Sequence, residues 1–94
     1  MIRSFKDAKT EAAFEGEARK GFPADLLESV RRKLQYLHAA VTLQDLRSPP
    51  GNRLEALQGD RRGQHSIRVN DQFRICFVWT EDGPTDVEFT DFHS

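Results

Sequence analysis

Two arginines could bind an anion together on one face of a predicted β-hairpin. Apolar and polar residues alternate in 64–69 and again in 73–79, which predicts two strands. If residues 70–72 form the loop between them, Arg68 pairs with Arg74 and the apolar side chains of both strands share the opposite face. A two-residue loop would mix polar and apolar side chains on each face, so we predict the three-residue loop.

The two facing arginines need a negative charge near them, because like charges directly opposite each other in a sheet are unfavourable. The sequence offers two sources for it. Asp86 and Glu88 alternate with apolar residues in the last predicted strand and would point to the same open face. The alternative is a phosphate group, which guanidinium groups bind through paired hydrogen bonds. The sequence alone leaves both sources open.

Other residues capable of chemistry lie outside this hairpin face. His93 could transfer a proton near neutral pH, or it could be a polar residue with no further role. His65 lies on the apolar face of its strand, which favours a core histidine with satisfied hydrogen bonds. Arg61 and Arg62 lie in a glycine-bounded loop and could contact a nucleic-acid backbone or be solvated. A metal site made of His65, His93 and Asp91 is not expected, because no two of them have ligand spacing on a helix or turn.

The spacing of apolar residues predicts the elements that must position these side chains. Residues 2–5 are predicted to form a short first strand, and Asp7 is predicted to cap a helix over about 8–15. A second helix is predicted from Pro23 onwards, with an apolar stripe of Leu26, Leu27, Val30, Leu34, Leu37 and Val41. Pro49-Pro50-Gly51 is expected to end all helix. Strands are then predicted over about 53–57, 64–69, 73–79 and 86–91.

This order of elements predicts an α+β fold, with two helices packed on one face of a mainly antiparallel four- to five-stranded sheet. A length of 94 residues predicts a single domain over 1–94. No apolar run is long enough to cross a membrane, and no signal-peptide core is present. The single cysteine, Cys76, cannot form an internal disulfide, so a reduced, cytoplasmic location is expected.

The net charge of −1 does not by itself indicate a nucleic-acid-binding protein. Basic residues cluster within the chain, however, while acidic residues gather near its two ends, so a local basic patch could bind a polyanion. Ordinary solvated surface charge is the alternative interpretation.

Residues 53–75, RLEALQGDRRGQHSIRVNDQFRI, resemble the signature of the HigB family of RelE-like toxins. The opening MIRSF, the segment LRSPPG at 46–51 and the ending VEFTDFH at 87–93 resemble the same family, so the likeness covers nearly the whole chain in order. It implies a RelE-like toxin of a type II toxin–antitoxin system that enters the ribosomal A site and cuts mRNA without a metal or cofactor. It also implies a helix-turn-helix antitoxin of the HigA type as partner, with DNA contacted only through that antitoxin.

The resemblance also implies roles for individual residues. Arg74 matches a family arginine that follows an aromatic residue, and Asp91 and His93 match the acid and the histidine of a C-terminal Asp-Tyr-His motif. In the implied reaction, the 2'-hydroxyl of the RNA attacks the neighbouring phosphate. His93 would act as acid or base, Arg68 and Arg74 would stabilise the phosphate, and Asp91 would orient His93 or an arginine.

The sequence departs from the family pattern at five positions, of which His65 and Phe73 stand where tryptophan is common. Phe92 replaces the usual tyrosine, so it could stack on a base but has no hydroxyl. Glu55 stands where many members carry histidine, and Gln58 where many carry lysine, although one branch of the family reads Arg-Leu-Glu. Glu55 could act as a base or be a solvated strand residue. These departures leave open a second function, in which a catalytically weak or inactive homologue only binds its antitoxin or the ribosome.

Overall fold

A computed structural model describes residues 1–92 and contains two α-helices followed by four β-strands. The helices are α1, Ala8–Phe14, and α2, Leu27–Ala39. The strands are β1, Glu55–Ala56; β2, His65–Arg68; β3, Phe73–Thr80; and β4, Gly83–Asp91. They form one antiparallel sheet in the order β1-β2-β3-β4, which confirms the predicted α+β class.

Helix α1 begins where the sequence predicts. The Asp7 carboxylate accepts hydrogen bonds from the Thr10 backbone N–H at 2.9 Å and from the Thr10 hydroxyl at 2.6 Å, which makes Asp7 the N-cap. The chain leaves the helix through Gly16, whose φ of 93° lies in the left-handed region that glycine adopts most easily.

Helix α2 is shorter than predicted. Its first turn, Ala24–Leu26, is a 3₁₀ turn, and Ala40 at its end is already extended. The stripe from Val30 to Leu37 is buried as expected, but the inclusion of Val41 was wrong, because this side chain is 84% exposed. The expectation that helix ends at residues 49–51 was also wrong, since single 3₁₀ turns follow at Pro50–Asn52 and Gly59–Arg61.

The predicted register of the central hairpin is confirmed. Ile67 pairs with Ile75 and Arg68 with Arg74, and the Val69 N–H donates to the Phe73 carbonyl at 3.0 Å across the loop. Burial of one apolar face selects this register, because a shift by one residue would move every apolar side chain to the open face. Strand β1 has only two residues, and β4 begins at Gly83, three positions earlier than predicted.

The N-terminal segment lies along the outer edge of β4. The predicted first strand is reduced to one parallel bridge between Phe5 and Val87. The Val87 N–H donates to the Ser4 carbonyl at 3.1 Å, and the Lys6 N–H donates to the Val87 carbonyl at 2.9 Å. The Phe89 N–H donates to the Thr10 hydroxyl at 3.1 Å, so α1 is joined directly to the same strand.

One apolar core lies between the helices and one face of the sheet. It contains Ala13, Phe22, Val30, Leu34, Leu37, Ala40, Leu46, Ile67, Ile75, Phe77, Val87 and Phe89. The opposite face of β2, β3 and β4 carries the arginines and other polar side chains. None of the helices within residues 1–92 is long and apolar enough to cross a membrane.

Candidate active site

Arg74 is held rigidly on the open face of the sheet. Its Nε donates to the hydroxyl of Ser66 on the neighbouring strand at 2.6 Å, and its Nη2 donates to the carbonyl of Arg53 at 2.7 Å. Burial lowers the pKa of the half-buried Arg74 guanidinium; Glu55 opposes this shift, whereas Arg68 and Arg53 add to it. Within residues 1–92 no carboxylate forms an ion pair with Arg74. A guanidinium group that is fixed by hydrogen bonds and has no ion-pair partner can bind a phosphate.

Arg68 stands opposite Arg74 and is paired with a loop residue. Its guanidinium forms a short ion pair with Asp71, a carboxylate whose side chain is fully exposed. Exposed ion pairs contribute little free energy, so Asp71 can give up Arg68 to another anion at small cost.

Asp86 and Glu88 do not neutralise the two facing arginines. Glu88 forms its ion pairs with Arg61 at 3.1 Å and with Lys6 at 3.9 Å. Asp86 is exposed and has a φ of 51°, at the irregular stretch of β4 opposite the register shift in β3. Of the two sources of negative charge left open by the sequence, these acidic side chains are therefore excluded for Arg68 and Arg74.

Arg61 lies over Phe92 rather than free in solvent. One of its Nη atoms donates to Gln64 and to Glu88, each at 3.1 Å, and its Cζ is 5.6 Å from the centre of the Phe92 ring. The side chains of Arg61 and Glu88 are 30% and 19% exposed, so this contact is partly shielded from water. Arg61 thereby links the open face of β4 to Phe92, while Arg62 in the same loop is exposed.

The end of β4 is held by the loop between β2 and β3. The Phe92 N–H donates to the Gln72 carbonyl at 2.7 Å, and the Gln72 side chain donates to the Asp91 carboxylate at 3.1 Å. Asp91 pairs with Phe73 and so belongs to the core side of the strand end, where it borders a cleft of about 480 Å³. His93 lies outside the described residues.

Glu55 lies beside the Arg74 site. It pairs with Ser66 across β1 and β2, so its side chain belongs to the same open face, and it is exposed. Its negative charge favours the charged form of Arg74. Glu55, Arg68 and Arg74 therefore lie together on the open face of the sheet. Separately, Arg61 contacts the ring of Phe92.

His65 and Cys76 are groups that the predicted chemistry does not use. His65 is partly buried and its ring stacks on Phe77 with 6.3 Å between ring centres, on the apolar face as predicted, but its buried Nδ1 has no hydrogen-bond partner within residues 1–92. The prediction that this histidine would be satisfied was therefore wrong. Burial raises the pKa of the Cys76 thiol to about 11. Among residues 1–92 no group of three His, Cys, Asp or Glu side chains could hold a metal ion.

Sequence reasoning missed two residues that hold Arg74. The contact with Ser66 could have been predicted, because the predicted register places Ser66 on the same face as Arg68 and Arg74. The contact with Arg53 could not, because it is made by the Arg53 carbonyl from a left-handed backbone, with φ 45° and ψ 59°. Arginine rarely adopts this conformation, so no sequence pattern predicts it.

Comparison with known proteins identifies relatives over almost the whole chain. Residues 3–93 match the family model described as the RelE-like toxin of the type II toxin–antitoxin system HigB. The protein Toxin HigB-1 of Vibrio cholerae is 43% identical over 82 residues, which is 86% of each chain. A protein of Haemophilus influenzae described as uncharacterized is 35% identical over 79 residues, covering 84% of this chain and 77% of its own. Endoribonuclease HigB of Proteus vulgaris is 30% identical over 93 residues, covering 99% of this chain and 100% of its own.

Proposed function

Because the chain belongs to the HigB-like family of RelE-like toxins of type II toxin–antitoxin systems, we propose that it is an endoribonuclease that cleaves mRNA in the ribosomal A site and inhibits translation. The observation that carries the proposal is the Arg74 site. A guanidinium fixed by Ser66 and by the Arg53 carbonyl, without a carboxylate partner within residues 1–92, is ready to receive a phosphate.

The proposed reaction needs three kinds of group and no metal or cofactor. The 2'-hydroxyl oxygen attacks the adjacent phosphorus and loses its proton to a base. The bond from phosphorus to the 5'-oxygen then breaks, and that oxygen takes a proton from an acid, leaving a 2',3'-cyclic phosphate and a free 5'-hydroxyl. Cationic groups stabilise the extra negative charge on the phosphorane. In this scheme Arg74 and Arg68 bind the phosphate, Arg68 exchanging its exposed partner Asp71 for it.

His93 and Glu55 are the proposed proton carriers. Histidine transfers protons near neutral pH, so His93 can serve as acid or base. Glu55 is exposed and lies opposite Ser66 across β1 and β2, on the same face of the sheet as Arg74, which supports a role for its carboxylate beside the proposed phosphate. If Glu55 takes the 2'-hydroxyl proton, His93 supplies the proton to the leaving oxygen. Asp91 would orient His93 or an arginine, as the resemblance implies.

The remaining residues would hold the RNA. Phe92 would stack on a base of the substrate, supported from the other side of its ring by Arg61. Arg62 is exposed in the same loop and would contact the RNA backbone. Family membership implies an antitoxin partner; we propose that it is a helix-turn-helix protein of the HigA type, that DNA is contacted only through it, and that the toxin acts in the cytoplasm.

The test is induced expression of the toxin without its antitoxin, with mapping of mRNA 5' ends on translating ribosomes. We expect growth arrest and new ends within A-site codons for the wild type. Arg74→Ala and His93→Ala should abolish both effects, whereas Arg19→Ala, which removes an exposed arginine from the loop between the two helices, should not. Circular dichroism and antitoxin co-purification check that the variants fold. Intact mRNA and normal growth with the wild-type protein would refute the nuclease.

One observation favours a second candidate function. Phe92 has no hydroxyl and position 55 has no histidine, so this site holds fewer proton-transfer groups than the family pattern. A catalytically weak homologue would still bind the antitoxin or the ribosome. Growth arrest with ribosome association but without new mRNA ends would identify this function.

A further inference from the structure

Arg53 has a strained backbone that is fixed by a buried asparagine. Its φ of 45° lies in the left-handed region, which residues other than glycine rarely adopt. The preceding residue, Asn52, is fully buried. Its side-chain amide donates to the carbonyls of Leu46 and Ser48 at 3.2 and 3.3 Å, and its oxygen accepts from Lys33 at 2.6 Å. These contacts hold the turn that ends at Arg53.

In this backbone conformation the Arg53 carbonyl faces Arg74. The Nη2 of Arg74 donates a hydrogen bond to that carbonyl at 2.7 Å. This role requires a carbonyl and no particular side chain. Glycine or asparagine would adopt the same backbone with less strain, so the carbonyl contact alone does not account for an arginine at this position.

The side chain of Arg53 is exposed and uncommitted. Within residues 1–92 it forms no hydrogen bond and no ion pair, whereas Arg68 has Asp71 and Arg74 has Ser66. Its charge lies close enough to Arg74 to lower the pKa of that group, after the larger effect of burial. The guanidinium groups of Arg53, Arg68 and Arg74 therefore lie near one another, and that of Arg53 has no partner in the described part of the chain.

We propose that the Arg53 guanidinium binds a phosphate of a single-stranded RNA backbone, beside the phosphate held by Arg74. The choice of RNA as ligand rests on the proposed function. Arg53 thus has two separate roles: its carbonyl orients Arg74, and its side chain contacts a neighbouring phosphodiester. This makes Arg53 a determinant of RNA binding rather than of the chemical step.

The test separates the two roles of Arg53 by choosing substitutions that keep the backbone. Arg53→Asn removes the charge but tolerates the left-handed conformation, and Arg53→Lys keeps the charge. Arg19→Gln is the control that removes an exposed arginine from the loop between the two helices. Binding is measured by fluorescence anisotropy with a 2'-O-methylated single-stranded oligonucleotide, which cannot be cleaved because its 2'-oxygens are blocked, at several salt concentrations.

Loss of one phosphate contact should lower the slope of log affinity against log salt by about 0.7. We expect this for Arg53→Asn, a near-wild-type slope for Arg53→Lys and Arg19→Gln, and no loss of thermal stability in Arg53→Asn. The same slope and affinity in Arg53→Asn and Arg19→Gln would overturn the proposal, as would a wild-type protein that does not bind the oligonucleotide. Equal weakening of binding in Arg53→Asn and Arg53→Lys with an unchanged slope would also overturn it, because a disturbed site rather than a lost charge would then be the cause.

The binding assay distinguishes this inference from the proposed nuclease. If Arg53→Asn lowers the slope and Arg53→Lys does not, but the wild type leaves cellular mRNA intact, the nuclease proposal fails while the role of Arg53 stands. If mRNA is cleaved and Arg53→Asn binds like the wild type, the nuclease proposal stands and the role of the Arg53 side chain fails.

Discussion

Replacement of Arg61 should loosen the end of β4 without disturbing the contacts of Arg74. Arg61→Gln removes the charge that pairs with Glu88 at 3.1 Å and the cation that lies over the Phe92 ring. Within residues 1–92 neither partner forms a hydrogen bond or an ion pair with Arg74. We expect a lower free energy of unfolding. We also expect the Phe92 ring to lose its contact with the guanidinium group of Arg61.

The magnitude follows from the burial of the two contacts. The Arg61–Glu88 pair is partly shielded, so its coupling should lie near 1–2 kcal/mol, above the ~0.2–1 kcal/mol of exposed pairs and below the ~3–5 kcal/mol lost when a buried pair is broken. The contact with Phe92 should add about 0.5–1 kcal/mol. For a domain of this size, a total near 2 kcal/mol lowers the melting temperature by roughly 10 °C.

The assay is a set of double-mutant cycles in urea, followed by the fluorescence of Trp79, the single tryptophan. Arg61→Gln is combined with Glu88→Gln in one cycle and with Phe92→Leu in another. Lys6→Met with Glu88→Gln is the control cycle, because Lys6 is more than half exposed and lies 3.9 Å from Glu88. We expect the control coupling to stay below about 0.5 kcal/mol.

A coupling between Arg61 and Glu88 no larger than that of the control cycle would refute the reasoning. If Arg61 acts on RNA cleavage through Phe92, the effects of Arg61→Gln and Phe92→Leu on cleavage should also be less than additive. Fully additive losses would mean that Arg61 contacts the RNA independently of Phe92.

Three further predictions concern groups next to the site. Since the folded protein holds the Cys76 pKa at about 11 against 9.0 in the unfolded chain, the unfolded state loses the thiol proton first as pH rises. The free energy of unfolding should therefore fall between pH 9 and 11, by up to ~2–3 kcal/mol relative to Cys76→Ala, in urea titrations at each pH. Asn52→Ala should cost about 2–4 kcal/mol in the same assay, because it leaves two carbonyls and the Lys33 ammonium without their buried partner; a loss under 1 kcal/mol would contradict this. Ser66→Ala should reduce mRNA cleavage roughly 10-fold by releasing the Nε of Arg74, and unchanged cleavage in a folded variant would show that the carbonyl contact suffices.

The sequence was sufficient to predict the central hairpin and the face on which the arginines lie. Alternation between apolar and polar residues allows only one register that keeps the core dry, and the structure has Arg68 opposite Arg74 as a result. The cap at Asp7 was also predictable, because a short acidic side chain just before a helix accepts a hydrogen bond from a free backbone N–H of the first turn.

Long-range contacts of charged side chains could not be predicted in this way. The alternation of residues along β4 correctly predicts that Glu88 lies on the open face. Its partner Arg61, however, is 27 positions away, in a loop whose path depends on a 3₁₀ turn. The end of α2 was missed for a different reason. Val41 fits the helical spacing, yet Thr42 and Asp45 form a capping box that starts a new turn and leaves Val41 exposed.

The outer edge of β4 constrains how another protein can associate with this sheet. From Pro84 to Phe89 its backbone is already hydrogen-bonded to the N-terminal segment, including the hydroxyl of Thr10. An extended segment from a partner could not add itself as a fifth strand along this stretch without displacing the start of the chain. The opposite edge is formed by β1, which has two residues, Glu55–Ala56, and offers too short a template for a stable added strand. An antitoxin should therefore bind this fold without adding a strand along these two stretches of the sheet edges.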